Sequence, residues 1–209
     1  MTIDEILGLS PVMPVVTIDA AENAAPLARA LVAGGIRAIE ITLRTPAGLA
    51  AIAAIAAEVP DAVPGAGTVL SPSDLEAAAA AGAKFAVSPG STPALLHAAA
   101  GGPLPYLPAI ATASELMAAL DAGFSTAKFF PAAQVGGVAA LKALAGPFPQ
   151  VRFCPTGGVD LASAPAYLAL ANVLCVGGSW IAPRETIAAG DFARIERLAR
   201  EAAALARPA

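Results

Sequence analysis

Charged side chains are scarce in this sequence. They make up 13% of its 209 residues, against about a quarter in most soluble domains, whereas hydrophobic residues make up 57%. Such a composition favours one sizeable core and an oligomer that hides further apolar surface. No linker, charge run or low-complexity segment divides the chain, so we predict one domain over residues 1–209.

Long uninterrupted apolar runs are also missing. No stretch of about 20 apolar residues escapes interruption by glycine, proline or charge, so we expect no membrane-spanning helix. The first residues lack a basic segment before an apolar run, which argues against a secretory signal. The net charge of −4 and the pI near 4.9 argue against a nucleic-acid surface. We therefore predict no membrane or nucleic-acid partner.

Thiol and imidazole groups are few. Cys154 and Cys175 lie in strand-like apolar runs, where we expect buried thiols without a disulfide, in keeping with a reducing cytoplasm. The single histidine, His97, lies in a helix-like run, and we predict that it is a helix surface residue. Two cysteines and one histidine make a poor metal site, so we predict no bound metal.

Strand-like and helix-like segments alternate from end to end. This alternation implies a parallel sheet, and eight strands in a chain of this length predict a single-domain α/β fold, a compact (β/α)8 TIM barrel. An open doubly wound sheet is the alternative, but the dinucleotide fingerprint usual after its first strand is absent. We predict strands at residues 12–18, 38–42, 63–68, 85–88, 106–110, 126–130, 152–156 and 173–177, and helices at 24–32, 47–57, 74–81, 93–98, 114–120 and 138–144.

Lys128 lies within an apolar run that is typical of a strand buried on both faces. Only three lysines occur in the chain, and burial of an ammonium is costly unless it is paired or loses its proton. The neutral amine is a nucleophile that condenses with ketones. Strand parity places Glu40 and Lys128 on inward faces, so we expect them to meet as an amine nucleophile and a proton shuttle. Lys84 precedes its strand and Lys142 lies on a helix, and we expect both to be solvated.

Glycine pairs follow the last two predicted strands. Thr156 precedes Gly157 and Gly158, and a second pair ends at Gly178 before Ser179. Barrel enzymes often bind phosphate in these two loops, where glycine lets backbone N–H groups approach the anion. The sequence therefore predicts a phosphate site at this end of the fold.

Two further polar residues stand at strand ends. Arg44 offers a guanidinium fork suited to a carboxylate, and Thr68 would present its hydroxyl at the same end of the fold. The alternatives are an ordinary surface cation for Arg44 and a helix cap for Thr68.

These residues together resemble the 2-keto-3-deoxy-6-phosphogluconate (KDPG) aldolase and 4-hydroxy-2-oxoglutarate (KHG) aldolase family. The resemblance covers nearly the whole chain. Its motifs are LVAGGIR at 31–37, EITLRT at 40–45, VPGAGTVL at 63–70, KFFPA at 128–132, VRFCPTGG at 151–158 and GGSW at 177–180.

The resemblance implies a class I aldolase of the Entner–Doudoroff pathway that cleaves 2-dehydro-3-deoxy-6-phosphogluconate to pyruvate and glyceraldehyde 3-phosphate, with 4-hydroxy-2-oxoglutarate as a further substrate. Lys128 would form the Schiff base and Glu40 would shuttle protons, with no cofactor. Arg44 and Thr68 would hold the carboxylate, and Pro89 and Phe130 would shape the pocket. Gly157, Gly158, Gly178 and Ser179 would hold the phosphate. The family is typically homotrimeric.

Substrate scope is left open at three positions. Thr156 favours the gluconate epimer over the galactonate epimer, since the related phosphogalactonate aldolases are expected to have an apolar residue there. Ala109 and Ala111 stand where the family is expected to have glycine and serine.

Two other functions compete with the aldolase. A phosphosugar isomerase or epimerase would use Glu40 as its base and Lys128 as an electrostatic helper. A phosphoryl-ligand sensor would bind without turnover, but a sensor has no need for both buried groups. Borohydride reduction separates the first two, because only a Schiff base is trapped.

Overall fold

The computed structural model describes residues 1–206 and shows an α/β fold in which parallel strands alternate with helices. Within these residues the strands are β1 (Val12–Val16), β2 (Ala38–Thr42), β3 (Val63–Gly67), β4 (Phe85–Val87), β5 (Tyr106–Leu107), β6 (Ala109–Ile110), β7 (Thr126–Phe129), β8 (Arg152–Pro155) and β9 (Val176–Gly178). The helices are α1 (Ile3–Leu7), α2 (Ala24–Ala33), α3 (Gly48–Glu58), α4 (Pro72–Ala80), α5 (Pro93–Ala100), α6 (Ala113–Asp121), α7 (Gly137–Ala145), α8 (Ala164–Leu168), α9 (Arg184–Ala188) and α10 (Phe192–Ala203), with a short 3-10 helix at Ala21–Asn23.

The strands form two parallel sheets. Six strands pair in the order β5-β4-β3-β2-β1-β9, and three pair in the order β6-β7-β8. Isolated bridges from Phe153 to Val173 and from Thr156 to Gly177 link the two sheets along β8 and β9. The single eight-stranded sheet expected from the sequence is therefore divided in the hydrogen-bonding pattern.

The predicted fifth strand, residues 106–110, is two strands in the structure. Pro108 separates β5 from β6, because proline has no N–H to contribute to a ladder. Its carbonyl oxygen still accepts a hydrogen bond from the Lys128 amide at 2.8 Å. β5 pairs with β4, whereas β6 pairs with β7, so this proline marks the second junction between the sheets.

The predicted eighth strand, residues 173–177, begins later than expected, at Val176. Two residues lie between the bridged positions Phe153 and Thr156, but three lie between their partners Val173 and Gly177. One extra residue on that side interrupts the ladder, as in a β-bulge, and prevents regular pairing.

Helix positions agree with the sequence to within a few residues at the six predicted segments. Capping explains three of the starts, since the side chains of Ser71, Thr92 and Thr112 each accept a hydrogen bond from a first-turn amide. α8, α9 and α10 lie outside the predicted set, whereas α1 falls within the first ten residues, for which the sequence also allows a short helix at the bottom of the barrel. No helix in residues 1–206 has the length and apolar character needed to cross a bilayer.

The amino-terminal helix α1 packs under the first residues of the strands. Its buried Ile6 and Leu7 join a cluster with Phe85, at the start of β4, and with Met13 and Val63. Outside this cluster, the Thr126 hydroxyl at the start of β7 donates to the Asp4 carboxylate at 2.6 Å. α1 therefore covers the end of the fold opposite the glycine loops.

Replacing Ile6 with alanine tests this packing. The side chain is 1% exposed, so Ile6→Ala should lower the free energy of unfolding by roughly 2–5 kcal/mol in urea titrations. Leu161→Ala is the control, because Leu161 is 39% exposed and should change stability by only about 0.5 kcal/mol. Equal losses in the two variants would contradict a structural role for α1.

Candidate active site

A buried ion pair joins the two sheets. The Lys128 ammonium on β7 lies 3.2 Å from Glu40 Oε1 on β2, and the two side chains are 3% and 0% exposed. The sequence-based expectation that these residues meet is therefore correct. The Lys128 Nζ also lies 5.3 Å from the centroid of the Phe130 ring, within range of a cation–π interaction.

One carboxylate oxygen of the pair has no hydrogen-bond partner among the described residues. This oxygen, Glu40 Oε2, is buried, and a charged oxygen in such a place costs free energy unless something donates to it. The site thus offers an acceptor next to an amine, the arrangement that a proton shuttle needs.

Strand β3 makes room for Glu40. Gly67 pairs with Thr42 in register, and a Cβ built on Gly67 would collide with the Oε1 and Cγ atoms of Glu40. Gly65 plays the same part for the ring of Phe85. Glycine is therefore required at position 67 to leave room for the Glu40 carboxylate and at position 65 to leave room for the Phe85 ring.

Arg44 and Thr68 form a second polar group at the strand ends. The Arg44 Nε donates to the Thr68 hydroxyl at 3.0 Å. Thr68 has a φ of 59°, a left-handed conformation that is rare for a β-branched residue, and such strain is typical of functional sites. The hydroxyl is thus held in a fixed place beside a guanidinium.

A cleft of about 680 Å³ opens at the carboxyl ends of the strands. Seven of the eleven predicted site residues line it, namely Arg44, Phe130, Thr156, Gly157, Gly158, Gly178 and Ser179. Lys128 and Glu40 lie below it, next to Phe130, and Thr68 reaches it through its bond to Arg44. Pro89 does not line this cleft.

The glycine loops form one wall of the cleft. Gly157 and Gly158 have φ angles of 97° and 71°, which exclude ordinary side chains and expose backbone in a tight turn. Gly177 leaves space for Thr156, because a Cβ there would collide with the Thr156 hydroxyl. Consecutive backbone amides in such a turn form an anion-binding concavity.

Sequence reasoning missed several cleft residues. Arg184 and Glu185 at the start of α9, together with Thr17 after β1, also line the cleft. Arg184 donates to both carboxylate oxygens of Asp19, from Nε at 2.6 Å and from Nη2 at 2.5 Å. These hydrogen bonds lower the pKa of Asp19 and raise that of Arg184. No local motif signals this pair, since 165 positions separate its members.

The other lysines, the histidine and the two cysteines are exposed or buried as the sequence predicts. Lys84, Lys142 and His97 are exposed, and Cys154 and Cys175 are buried without a disulfide, their sulfurs 3.5 Å apart. In the described part of the chain, no three His, Cys, Asp or Glu side chains are grouped so as to hold a metal ion.

Comparisons with known proteins agree with this geometry. The family model for KDPG and KHG aldolases matches residues 3–198. The KHG/KDPG aldolase of Escherichia coli (strain K12) is 55% identical over 199 residues, covering 95% of this chain and 93% of that protein.

Two crystal structures are close to this fold. The 2-keto-3-deoxy-6-phosphogluconate aldolase of Zymomonas mobilis has a TM-score of 0.94 at 49% identity, covering 99% of this chain and 98% of that one. The KDPG aldolase of Legionella pneumophila, captured with pyruvate as a covalent carbinolamine, has a TM-score of 0.94 at 46% identity, covering 96% of this chain and 98% of that one. These matches define the protein as an aldolase, a carbon–carbon lyase. The chain belongs to the KDPG and KHG aldolase family.

The steric role of Gly67 is open to direct test. Gly67→Ala should displace the Glu40 carboxylate and reduce aldolase turnover at least tenfold, while overpacking destabilises the fold by about 1–3 kcal/mol. Turnover and thermal unfolding of the purified variant measure the two effects. Gly101→Ala is the control, because no atom lies within 4 Å of a Cβ there. Full activity in Gly67→Ala would contradict the steric argument.

Proposed function

We propose that this chain is a class I aldolase that cleaves 2-dehydro-3-deoxy-6-phosphogluconate to pyruvate and glyceraldehyde 3-phosphate. The observation that carries the proposal is the buried Lys128–Glu40 pair, 3.2 Å apart, beneath a cleft with an anion-binding wall. The dual name of the Escherichia coli relative supports 4-hydroxy-2-oxoglutarate as a further substrate.

Lys128 is the proposed nucleophile. Its ammonium gives a proton to Glu40, and the neutral amine attacks the ketone at carbon 2 of the substrate to form a carbinolamine. Loss of water then gives a protonated imine. This iminium is itself the electron sink for bond cleavage, so the proposed chemistry calls for no cofactor. The carbinolamine captured in the Legionella pneumophila enzyme supports this step.

Glu40 is the proposed proton shuttle. It protonates the departing hydroxyl of the carbinolamine and then accepts the proton of the carbon 4 hydroxyl as the bond between carbons 3 and 4 breaks. Glyceraldehyde 3-phosphate leaves, the enamine is protonated at carbon 3, and hydrolysis releases pyruvate. The unpartnered Oε2 supports this role, because it is an acceptor that substrate or water can occupy.

The remaining site residues are assigned to the two charged groups of the substrate, its carboxylate and its phosphate. Arg44 and Thr68 hold the carboxylate through a guanidinium and a hydroxyl that already bond to each other. The phosphate lies against Gly157, Gly158, Gly178 and Ser179, which line the cleft. Phe130 packs between Lys128 and the cleft, and Thr156 contacts the substrate near carbon 4. Pro89 does not line the cleft, so we assign it no contact with the substrate.

The two sheets are proposed to act as one closed (β/α)8 barrel. Only Pro108 separates β5 from β6, and two isolated bridges link β8 to the β9 side. One main core cluster extends from β1 to α10, which supports a single domain. The predicted domain end at residue 209 lies outside the described residues.

Assembly and location are proposed from composition and from the buried cysteines. The apolar composition, 57% hydrophobic against 13% charged residues, supports burial of further surface in a homotrimer like that typical of the family. Buried cysteines without a disulfide support a reducing cytoplasm.

Incubation with pyruvate and sodium borohydride tests the Schiff base. We expect a single N-(1-carboxyethyl) adduct, the reduced pyruvate imine, in the intact-mass spectrum, mapped to the peptide that contains Lys128. Lys128→Met should remain folded by circular dichroism and lose both adduct and turnover, whereas the exposed Lys84→Met should keep both. A folded wild-type protein without an adduct would overturn the aldolase mechanism and favour an isomerase or a sensor.

The proton shuttle is tested by Glu40→Gln, which keeps the shape and removes the base. Turnover should fall about 100-fold or more, the usual scale for loss of a general acid–base group. Borohydride trapping should show slower but detectable imine formation. Glu58→Gln, at an exposed position, is the control. Wild-type turnover in Glu40→Gln would assign proton transfer to another group.

A further inference from the structure

The Asp19–Arg184 ion pair lies at the cleft that contains the proposed phosphate site. Arg184 lines the same cleft wall as Gly178 and Ser179, and Thr17, two residues before Asp19, lines it as well. The guanidinium is therefore at the rim of the proposed phosphate pocket. Its hydrogen bonds within residues 1–206 go to the Asp19 carboxylate, which belongs to the neighbouring loop after β1.

The Arg184–Asp19 ion pair is exposed to solvent, so another anion can displace Asp19 from the Arg184 guanidinium. The Arg184 and Asp19 side chains are 61% and 48% exposed, and ion pairs at that exposure are weak because water screens them. A guanidinium that donates two hydrogen bonds to one carboxylate has the fork geometry that also fits two oxygens of a phosphate. A phosphate dianion carries more charge than the carboxylate and can take its place.

The charges around the cleft favour this exchange. Among its lining residues the cations are Arg44 and Arg184, and Glu185 is the anion. Arg44 already donates a hydrogen bond from Nε to the Thr68 hydroxyl. Arg184 is therefore the cation placed on the glycine-loop side, where backbone amides alone would otherwise face the dianion.

We propose that Arg184 is a specificity-determining residue that binds the substrate phosphate at the cleft rim, with Asp19 as an internal competitor for the same guanidinium. The inference rests on the proposed aldolase function and extends it. Phosphorylated 2-keto acids release Arg184 from Asp19 and gain its two hydrogen bonds. Unphosphorylated 2-keto acids leave the pair intact, so Arg184 sets the preference between the two substrate classes.

The test compares cleavage of 2-keto-3-deoxy-6-phosphogluconate with cleavage of 4-hydroxy-2-oxoglutarate. For Arg184→Ala we expect KM for the phosphorylated substrate to rise about tenfold, as for loss of a hydrogen bond to a charged group. The kcat for both substrates and the KM for the unphosphorylated one should stay within about twofold. Arg184→Lys, which keeps the charge without the fork, should lie between wild type and Arg184→Ala.

Asp19→Asn tests the competitor. Removing its charge should lower KM for the phosphorylated substrate roughly threefold, the scale of a weak exposed ion pair. The matched control is Arg29→Ala, which breaks an exposed Arg29–Glu58 pair, 54% and 53% exposed, away from the cleft. It should leave both substrates unchanged.

Calorimetric titration with inorganic phosphate separates this inference from the proposed function. If the wild type cleaves neither substrate, the function fails, but a roughly tenfold weaker phosphate affinity in Arg184→Ala still supports the rim site. Equal effects of Arg184→Ala on both substrates, or unchanged phosphate affinity, would overturn the inference. A rise in KM for Asp19→Asn would show that Asp19 positions Arg184 and does not compete with the phosphate.

Discussion

The ion pair between Lys128 and Glu40 is the constraint on which the rest of the site depends. Two charges buried to this extent are tolerated only because each compensates the other, and loss of either would leave an isolated charge in an apolar interior. The pair also crosses from the three-stranded to the six-stranded sheet. The position of the two sheets relative to each other is therefore linked to the same contact that prepares the amine for reaction.

The pair suits the proposed intermediates as well as the resting protein. An ammonium and an iminium on Lys128 are both cations, so Glu40 faces a positive charge before and after imine formation. The charges cancel at two stages, when the neutral amine attacks and when the enamine forms, and at both Glu40 holds the proton. The first of these protons can move directly from Lys128 to Glu40 over 3.2 Å. Catalysis thus uses charges whose burial the structure has already compensated.

The contact between Lys128 and Glu40 could be predicted from sequence because it follows from strand parity. Glu40 and Lys128 occupy inward positions of two short strands, and alternation alone places them on facing surfaces. The loop with Gly157 and Gly158 was predictable because it comes directly after the predicted strand at 152–156, whereas Gly177 and Gly178 belong to the end of β9 itself and do not follow it. The sequence shows a proline at position 108, but it does not show that the sheet divides there, since a proline can also end a ladder at the edge of a sheet.

Contacts between distant loops were beyond sequence reasoning. Arg184 meets Asp19 only because β1 and β9 are neighbours, and that adjacency is set by the closure of the whole chain. The requirement for Gly67 depends on the side-chain conformation of Glu40 on the adjacent strand. Such residues can be recognised only from the three-dimensional structure, because no spacing or composition distinguishes them from an ordinary surface arginine or a flexible strand glycine.

Depth in the cleft separates reaction from recognition. Lys128 and Glu40 lie on strands in the interior, where packing fixes their geometry and leaves little room for substitution. The phosphate wall and the rim pair lie on loops and exposed side chains, where substitutions cost the fold little. A change of substrate charge can therefore be met at the rim without altering the buried pair, as the proposed use of both phosphorylated and unphosphorylated 2-keto acids requires.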